Sequence, residues 1–413
     1  MRVQDLKGKK LGGLVSGGLD SCTITHWLSS HGAEPHCFTV DLGQPDEPDL
    51  TAITDRMLKC GAKTAAILPG QEPLAEAGLQ VIQAQATYEG GYWNTTAIAR
   101  YVTTRLAIEA LRKQGIEILF HGATGRGNDQ VRFQLATNML APGMDVYAPW
   151  RDPAMHDTFA GRKEMVEYAE SHGLPIKASA EKIYSTDANM LGLTHEAGQL
   201  EALETPATLV TPEMGVWAWD APDEPAFVTV EWQAGRPVAV NGAKAPLTEV
   251  FKQANALAGQ HGVGIGRHVV ENRFVGIKSR GVYEAPGMEL LGQAYEYLLQ
   301  LYLDRRAREL FSHLSRFLAV QIYQGYWYDL GTTAALAAVE RMASLVTGTV
   351  KLRLSKGHVI FEGISGAERS LYAEDDASME RAGAFDHADA EGFLRVLGVP
   401  ARNYSQMLKE LGR

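Results

Sequence analysis

Ser16-Gly17-Gly18-Leu19-Asp20-Ser21 is the stretch of this chain whose residue types and spacing speak most directly of chemistry. It follows the apolar run Leu11 to Val15, which reads as a short buried strand, and leads into Thr23 to Leu28, which reads as a helix. A strand that breaks on two glycines and restarts as a helix leaves several backbone N–H groups aimed at one point. Glycine lets the main chain approach a ligand closely, and the helix N-terminus adds partial positive charge. Such a place holds phosphate. The spacing is not that of the common phosphate loop, which needs Lys-Ser or Lys-Thr after its second glycine. Asp20 beside bound phosphates would be repelled unless a cation stood between them, which implies Mg²⁺; as an isolated residue it reads equally as a helix cap.

Further clusters carry polar chemistry. Tyr92-Trp93-Asn94-Thr95-Thr96 follows the loose Glu89-Gly90-Gly91. His121 to Phe133 contains three glycines among many donors. Tyr184 to Gly192 continues to Thr194-His195-Glu196. Glu271-Asn272-Arg273 precedes Lys278 to Gly287. Each has a plain explanation by itself: a strand end with satisfied hydroxyls at Tyr92 to Thr96, a helix cap at Asn128-Asp129, a turn at Ser185 and Asp187, a surface ion pair between Glu271 and Arg273. Their density of donors and acceptors beside a phosphate cradle argues against all of these at once.

The elements that must position these groups alternate in the first half. Pro35 to Asp41, Ala65 to Leu68 and Ile116 to His121 read as strands. Asp46 to Cys60 (with Pro48 in its first turn), Glu76 to Ala84 and Ile98 to Lys113 read as helices. Strands alternating with helices imply a parallel sheet with crossover helices, and ligands of such sheets collect beyond the carboxyl ends of the strands. Ser16-Gly17-Gly18 and His121-Gly122 both end strands there. The second half reads as α+β: strands at Glu213 to Trp219 and Phe227 to Trp232, a hairpin arm at Val238 to Asn241, a long helical stretch from Ala285 to Phe317, and two alternating strands within Gly348 to Gly363. Gly262-Val263-Gly264-Ile265-Gly266 reads as a loop feeding Glu271. The expected class is α/β: a parallel-sheet nucleotide-binding domain over 1–174, a second α+β domain over 175–385, and a C-terminal helical arm over 386–413. The arm reads as two short helices joined around Gly398 to Pro400. Its Phe393, Leu394, Val396 and Leu397 have little chain left to bury them, so they fit docking on another subunit or folding back on their own domain.

Composition frames this reading. The chain has 413 residues, 45% hydrophobic and 21% charged, which is ordinary globular stock. A formal charge of −10 argues against broad contact with a nucleic-acid backbone. No apolar run approaches a bilayer-spanning length, and the N-terminal apolar stretch is interrupted by Gly12, Gly13 and Ser16. Cys22, Cys37 and Cys60 form no CxxC pair, which fits a reducing compartment without structural disulfides and without zinc. The expected location is cytoplasmic.

SGG-x-DS is the pattern of enzymes that grip the pyrophosphate of ATP and cleave between its α and β phosphates. Nearly end to end, the chain resembles the argininosuccinate synthase family. The resemblance is carried by Ser16 to Ser21, Thr39 to Gln44, Tyr92 to Thr96, Thr124 to Phe133, Tyr184 to Glu196, Glu271 to Gly287, and the tail Asp386 to Pro400. It implies an AMP-forming ligase that joins citrulline to aspartate with ATP and Mg²⁺ through citrullyl-AMP, in a homotetramer, without nucleic-acid or membrane partners. Carried over position by position, ATP would lie along Leu14, Val15, Ser16, Gly17, Gly18, Leu19, Asp20, Ser21 and Cys22, with adenine near the Val40 backbone and Gly122, Thr124 and Asp187 nearby. Citrulline would contact Tyr92, Asn128, Arg132, Ser185, Thr194, Glu196, Glu271 and Tyr283. Aspartate would contact Thr96, Thr124, Asn128 and Asp129. Asp20, Asp129 and Arg132 would act in catalysis: Asp20 through the phosphate-bound metal, Arg132 as a fork for the substrate carboxylate, and Asp129 by receiving the aspartate ammonium or taking its proton.

Departures matter. The family's first motif usually reads SGGLDTS, whereas here Ser21-Cys22 follows SGGLD. A thiol at a helix N-terminus can be reactive; the alternative is a buried, inert Cys22. Tyr184 to Glu196 resembles the longer bacterial form of the family, while His121 to Phe133 and the tail resemble the commoner form. A specialised paralogue acting on another ureido or amino substrate is the alternative within the fold. A tRNA-modifying enzyme with the same cradle would need a basic face and a Cys pair. A non-catalytic relative would show a damaged cradle.

Overall fold

The computed structural model describes every residue except Asp46, Pro48, 177–182, 381–382, 384–385 and Arg413. Short aliphatic runs form the first sheet: β1 (Lys10–Leu14), β2 (Glu34–Asp41), β3 (Thr64–Pro69), β4 (Ile118–His121) and β5 (Asp145–Tyr147). They pair in parallel in the order β3-β2-β1-β4-β5. The crossovers are α1 (Leu19–Ser30), α2 (Thr51–Lys59), α3 (Gln71–Ala84), α4 (Thr95–Lys113) and α5 (Asp129–Leu140); α6 (Pro153–Thr158) and α7 (Arg162–Ser171) follow β5. From β1 the chain winds outward to β3, then returns to β4 on β1's other side. The crevice between the ends of β1 and β4 is therefore a topological switch point, where such sheets bind ligands. Apolar layers cover both faces, one built around Trp27, Met57 and Phe159, the other around Ile108, Leu111 and Phe133.

The later strands are β6 (Ser185–Asn189), β7 (Gly192–Glu196), β8 (Ala226–Gln233), β9 (Arg236–Val240), β10 (Ala243–Lys244), β11 (Arg267–Asn272), β12 (Lys278–Glu284), β13 (Gly348–Ser355) and β14 (His358–Ser365). They make two antiparallel sheets, β11-β12-β7-β6 and β10-β9-β8-β13-β14. In β11, Glu271 lies opposite Ser279 of β12, and burial alternates so that Val269 and Glu271 face inward while Val270 and Asn272 face out. The helices here are α8 (Leu247–Gln260), α9 (Pro286–Tyr302), α10 (Arg305–Gln324) and α11 (Leu330–Ala343). With α3, α4 and the second of these sheets they enclose the largest core, which includes Tyr101, Phe251, Leu291, Leu298 and Val350.

Three expectations are corrected. The helix expected from Asp46 begins at Thr51, where the Asp49 carboxylate accepts from the Thr51 N–H at 3.0 Å; Asp46 and Pro48 lie outside the described residues. The single helix from Ala285 to Phe317 is two, because Asp304 caps a new one by accepting from the Ala307 N–H at 2.7 Å. Glu213 to Trp219 alternates like a strand but pairs with none: the Met214 N–H goes to the Glu284 carboxylate (2.8 Å) and the Val216 N–H to the Gly259 carbonyl (3.1 Å).

Met1–Ala367 forms one compact unit and Glu368–Arg413 a second. In the second, α12 (Glu374–Ala377) precedes α13 (His387–Leu397) and α14 (Val399–Glu410), which meet at Gly398. Phe393, Leu394, Val396 and Leu397 are each at least 60% exposed. Among the described residues no helix is long and apolar enough to cross a membrane.

Candidate active site

The loop after β1 is shaped from behind. Gly17 has φ +75°, and a Cβ there would stand 2.8 Å from Arg56 Nη1 and 2.9 Å from Ile53 Cγ2, so only glycine fits. Its carbonyl accepts from Arg56 Nη1 at 2.6 Å, turning the oxygen toward the buried guanidinium. Ser21 Oγ accepts from the Ser16 N–H at 3.0 Å and closes the loop. Gly18 precedes α1 without a side-chain cap, leaving first-turn N–H groups for an anion. Leu14 and Val15 are buried and contribute backbone: the Val15 N–H donates to the Phe38 carbonyl at 3.1 Å, and its carbonyl accepts from Thr39 Oγ1 at 3.0 Å. On β2, the Val40 carbonyl accepts from Gln44 Nε2 at 3.0 Å.

Burial pushes the Asp20 carboxyl up from its usual range, against the pull of the nearby Trp150 indole N–H and the field of Arg162. A Cβ on Gly122 would lie 3.6 Å from Asp20 Cβ, so the two glycine-bearing strand ends meet at the switch point. Among the described residues no three His, Cys, Asp or Glu side chains gather to hold a metal. Asp20 therefore suits a cation shared with phosphate oxygens, the usual manner of Mg²⁺ at nucleotides, and not a protein cage. Cys22 is fully buried in the core cluster that holds Cys37 and Cys60; the neighbouring Cys60 thiol and its burial push its thiol up, so it is the inert cysteine, not the reactive one.

Beyond Gly122 a cavity of about 150 Å³ opens. It brings together Tyr92, Thr96, Thr124, Asn128, Asp129, Arg132, Asp187, Thr194, Glu196, Glu271 and Tyr283, which the sequence scatters over nearly two hundred positions. Strand register explains part of this. Asp187 pairs with Thr194 and Ser185 with Glu196, so these four share one face of β6–β7. Ser185 itself is exposed at the start of β6 and does not line the cavity. His195 points to the other face, buried against Glu284 Oε1 at 2.6 Å, and takes no part.

Glu271 is 6% exposed and accepts from Tyr323 Oη (2.7 Å) and Tyr283 Oη (2.8 Å); it makes no ion pair with Arg273. Tyr92 stacks on Tyr283 with centroids 4.2 Å apart, and its hydroxyl accepts from the Thr96 N–H at 3.0 Å. Thr96 and Thr194 hydroxyls are 3.0 Å apart. Asn128 does not cap α5; its Oδ1 accepts from the Phe274 N–H at 2.9 Å.

Asp129 is clamped. Arg100 Nε donates to one oxygen at 2.8 Å and Arg132 Nη1 to the other at 2.9 Å, while Arg100 Nη2 also reaches Asp187. Burial alone would raise the Asp129 carboxyl, but the two guanidinium groups outweigh it and hold it below the usual range. This corrects one of its expected roles: a carboxylate so held is a poor proton acceptor, though it can still receive an ammonium. Arg132 is only partly free. Its Nε and Nη2 both donate to the Tyr323 carbonyl, at 3.0 and 2.8 Å, so three of its five N–H donors are engaged and only the other two remain for a carboxylate. Glu196 meets Arg273 Nη2 at 3.4 Å. Burial pushes its carboxyl up to about 7; Arg273 opposes this, while Asp129, Asp187 and Glu271 add to it.

Arg100, Arg273 and Tyr323 complete the site and were not singled out as site residues from the sequence. Arg100 had a signal, lying one helical turn after Thr96 on α4. Arg273 stood inside a flagged cluster but was read as a partner of Glu271. Tyr323, on α10, had none.

Two family models match the chain: the arginosuccinate synthase N-terminal HUP domain over residues 14–175 and the arginosuccinate synthase C-terminal domain over residues 184–404. Curated proteins named argininosuccinate synthase align over nearly full length. The one from Rhodopirellula baltica is 43% identical over 94% of this chain and 96% of its own. That from Nitratidesulfovibrio vulgaris (strain Miyazaki F) is 38% identical over 97% and 98%, and that from Rubrobacter xylanophilus 37% identical over 97% and 96%.

Proposed function

This chain belongs to the argininosuccinate synthase family, and from that premise we propose how its residues divide the work. The reaction is the ATP-dependent, AMP-forming ligation of citrulline with aspartate, yielding argininosuccinate and pyrophosphate. A ureido carbon is a poor electrophile with poor leaving groups. Moving AMP onto the ureido oxygen creates a good leaving group, and the aspartate amine can then displace it. No covalent enzyme nucleophile is needed; the work is positioning and charge stabilisation.

The amides of Gly17 to Ser21 grip the departing pyrophosphate, with Ser16 closing the loop and Leu14, Val15 and Cys22 framing it. The Val40 backbone faces adenine, with Gly122, Thr124 and Asp187 beside the nucleotide. Asp20 shares Mg²⁺ with the phosphates; when bound, the ion neutralises charge that builds on the leaving group. Glu271 and Glu196 face the ammonium and ureido N–H groups of citrulline, the two remaining donors of Arg132 take its carboxylate, and Tyr92, Asn128, Thr194 and Tyr283 complete its contacts. Thr96, Thr124, Asn128 and Asp129 hold aspartate. One observation carries the reading: the β4–α5 loop touches Asp20 at Gly122 and lines the cavity with Thr124, Asn128 and Asp129, so cradle and cavity are joined by a single short segment.

The test is pyrophosphate release from ATP, Mg²⁺ and aspartate with and without citrulline. Release that needs citrulline supports the assignment, and release that ignores it overturns the acceptor. The exposed apolar residues of α13 support a homotetramer assembled through this arm. Light scattering should show a tetramer that is lost when residues 389–413 are removed.

A further inference from the structure

Aspartate arrives as an ammonium and must lose a proton before its nitrogen can attack, so the cavity needs a base. Among the described residues, Asp129, Asp187, Glu196 and Glu271 are the carboxylates that line it. Asp129 has one guanidinium on each oxygen. Asp187 is held by the second arm of Arg100. Glu271 accepts from two tyrosine hydroxyls. Glu196, last residue of β7, stands apart: among the described residues the cation it pairs with is Arg273, at a loose 3.4 Å, and 42% of its side-chain surface is open.

We propose that Glu196 is the proton acceptor of the ligation step, with Arg273 as its positioning residue. The proposal rests on the citrulline–aspartate reading of the cavity. The Glu196 carboxylate takes an N–H proton from the aspartate ammonium. The freed lone pair forms the new C–N bond to the activated ureido carbon. The C–O bond to AMP breaks, and its electron pair leaves on the AMP oxygen. The second proton shed by that nitrogen passes to water once Glu196 has released the first.

The electrostatics agree. Facing Glu196 are Arg273 from the turn after β11, Asp129 from α5, Asp187 from β6, Glu271 from β11 and Tyr283 from β12. Desolvation by the cavity walls and the neighbouring carboxylates lift it to about 7, against Arg273, although part of the side chain still meets solvent. A carboxylate poised there is partly ionised at neutral pH and far more basic than Asp129.

The experiment compares two half-reactions, at saturating citrulline, across pH 5.5–9. Citrulline-dependent ATP–pyrophosphate exchange reads activation, and single-turnover product formation with aspartate reads ligation. In the unaltered protein, ligation should fall on the acid side of pH ~7 as Glu196 protonates. Glu196→Gln should slow ligation about 100-fold more than it slows exchange and abolish that acid limb. Glu196→Asp should restore part of the rate and the limb. A limb that persists unchanged in Glu196→Gln, or equal losses in both half-reactions, overturns the assignment. Absence of citrulline-dependent exchange in the unaltered protein would instead overturn the functional reading beneath it.

Discussion

In the proposed phosphate loop the residues are consecutive, and the groups left for a ligand are mostly backbone amides at the start of α1. In the substrate cavity the groups are side chains, drawn from the α3–α4 connection, the start of α5, and strands of a different sheet. The first kind of site depends on main-chain shape, held by the Gly17–Arg56 contact. The second depends on charge balance, held by the Arg100–Asp129–Arg132 chain and by the tyrosines on Glu271. One should fail when a carbon is added, the other when a charge is removed.

Substitutions can break or sharpen this contrast. Gly17→Val puts a branched side chain at φ +75° against Arg56 and Ile53, and ATP binding should weaken by more than about 100-fold, measured as ATP Kd. Asp129→Asn leaves Arg100 and Arg132 facing each other without their shared carboxylate; aspartate KM should rise by roughly 100-fold while citrulline-dependent exchange persists. The shift in KM separates it from Glu196→Gln, whose loss lies in the ligation rate and its pH profile. Arg132→Ala should raise citrulline KM by roughly 10- to 100-fold and ATP KM by under about 3-fold. Equal effects on both would dissolve the distinction between the two regions. Cys22→Ser should change ATP KM by less than about 3-fold, since that side chain is buried in the core and its one bond to the loop, Sγ donating to the Gly17 carbonyl at 3.6 Å, is one a serine hydroxyl can also make.

The same contrast governs what could be read from the chain. The cradle was legible because its chemistry is contiguous: two glycines between a strand and a helix leave little choice of backbone path. The alternation that gives the parallel sheet was legible for the same local reason. Arg100 closing on both Asp129 and Asp187, the Tyr323 carbonyl occupying Arg132, and Glu196 meeting Arg273 depend on which helix packs over which strand, and no local pattern carries that. Local patterns also misled. Glu213 to Trp219 has a strand's alternation but no ladder partner, and the long run from Ala285 conceals a restart at Asp304, whose side chain caps only once the chain has turned.

The alternation of β11 has a further consequence. Glu271 reaches the cavity only because it lies an even number of positions from Val269 along an extended backbone. Inserting or deleting one residue in this strand would send the carboxylate to solvent and turn Val270 or Asn272 inward. Length variation here is thus subject to parity: viable descendants of this strand should grow or shrink by twos.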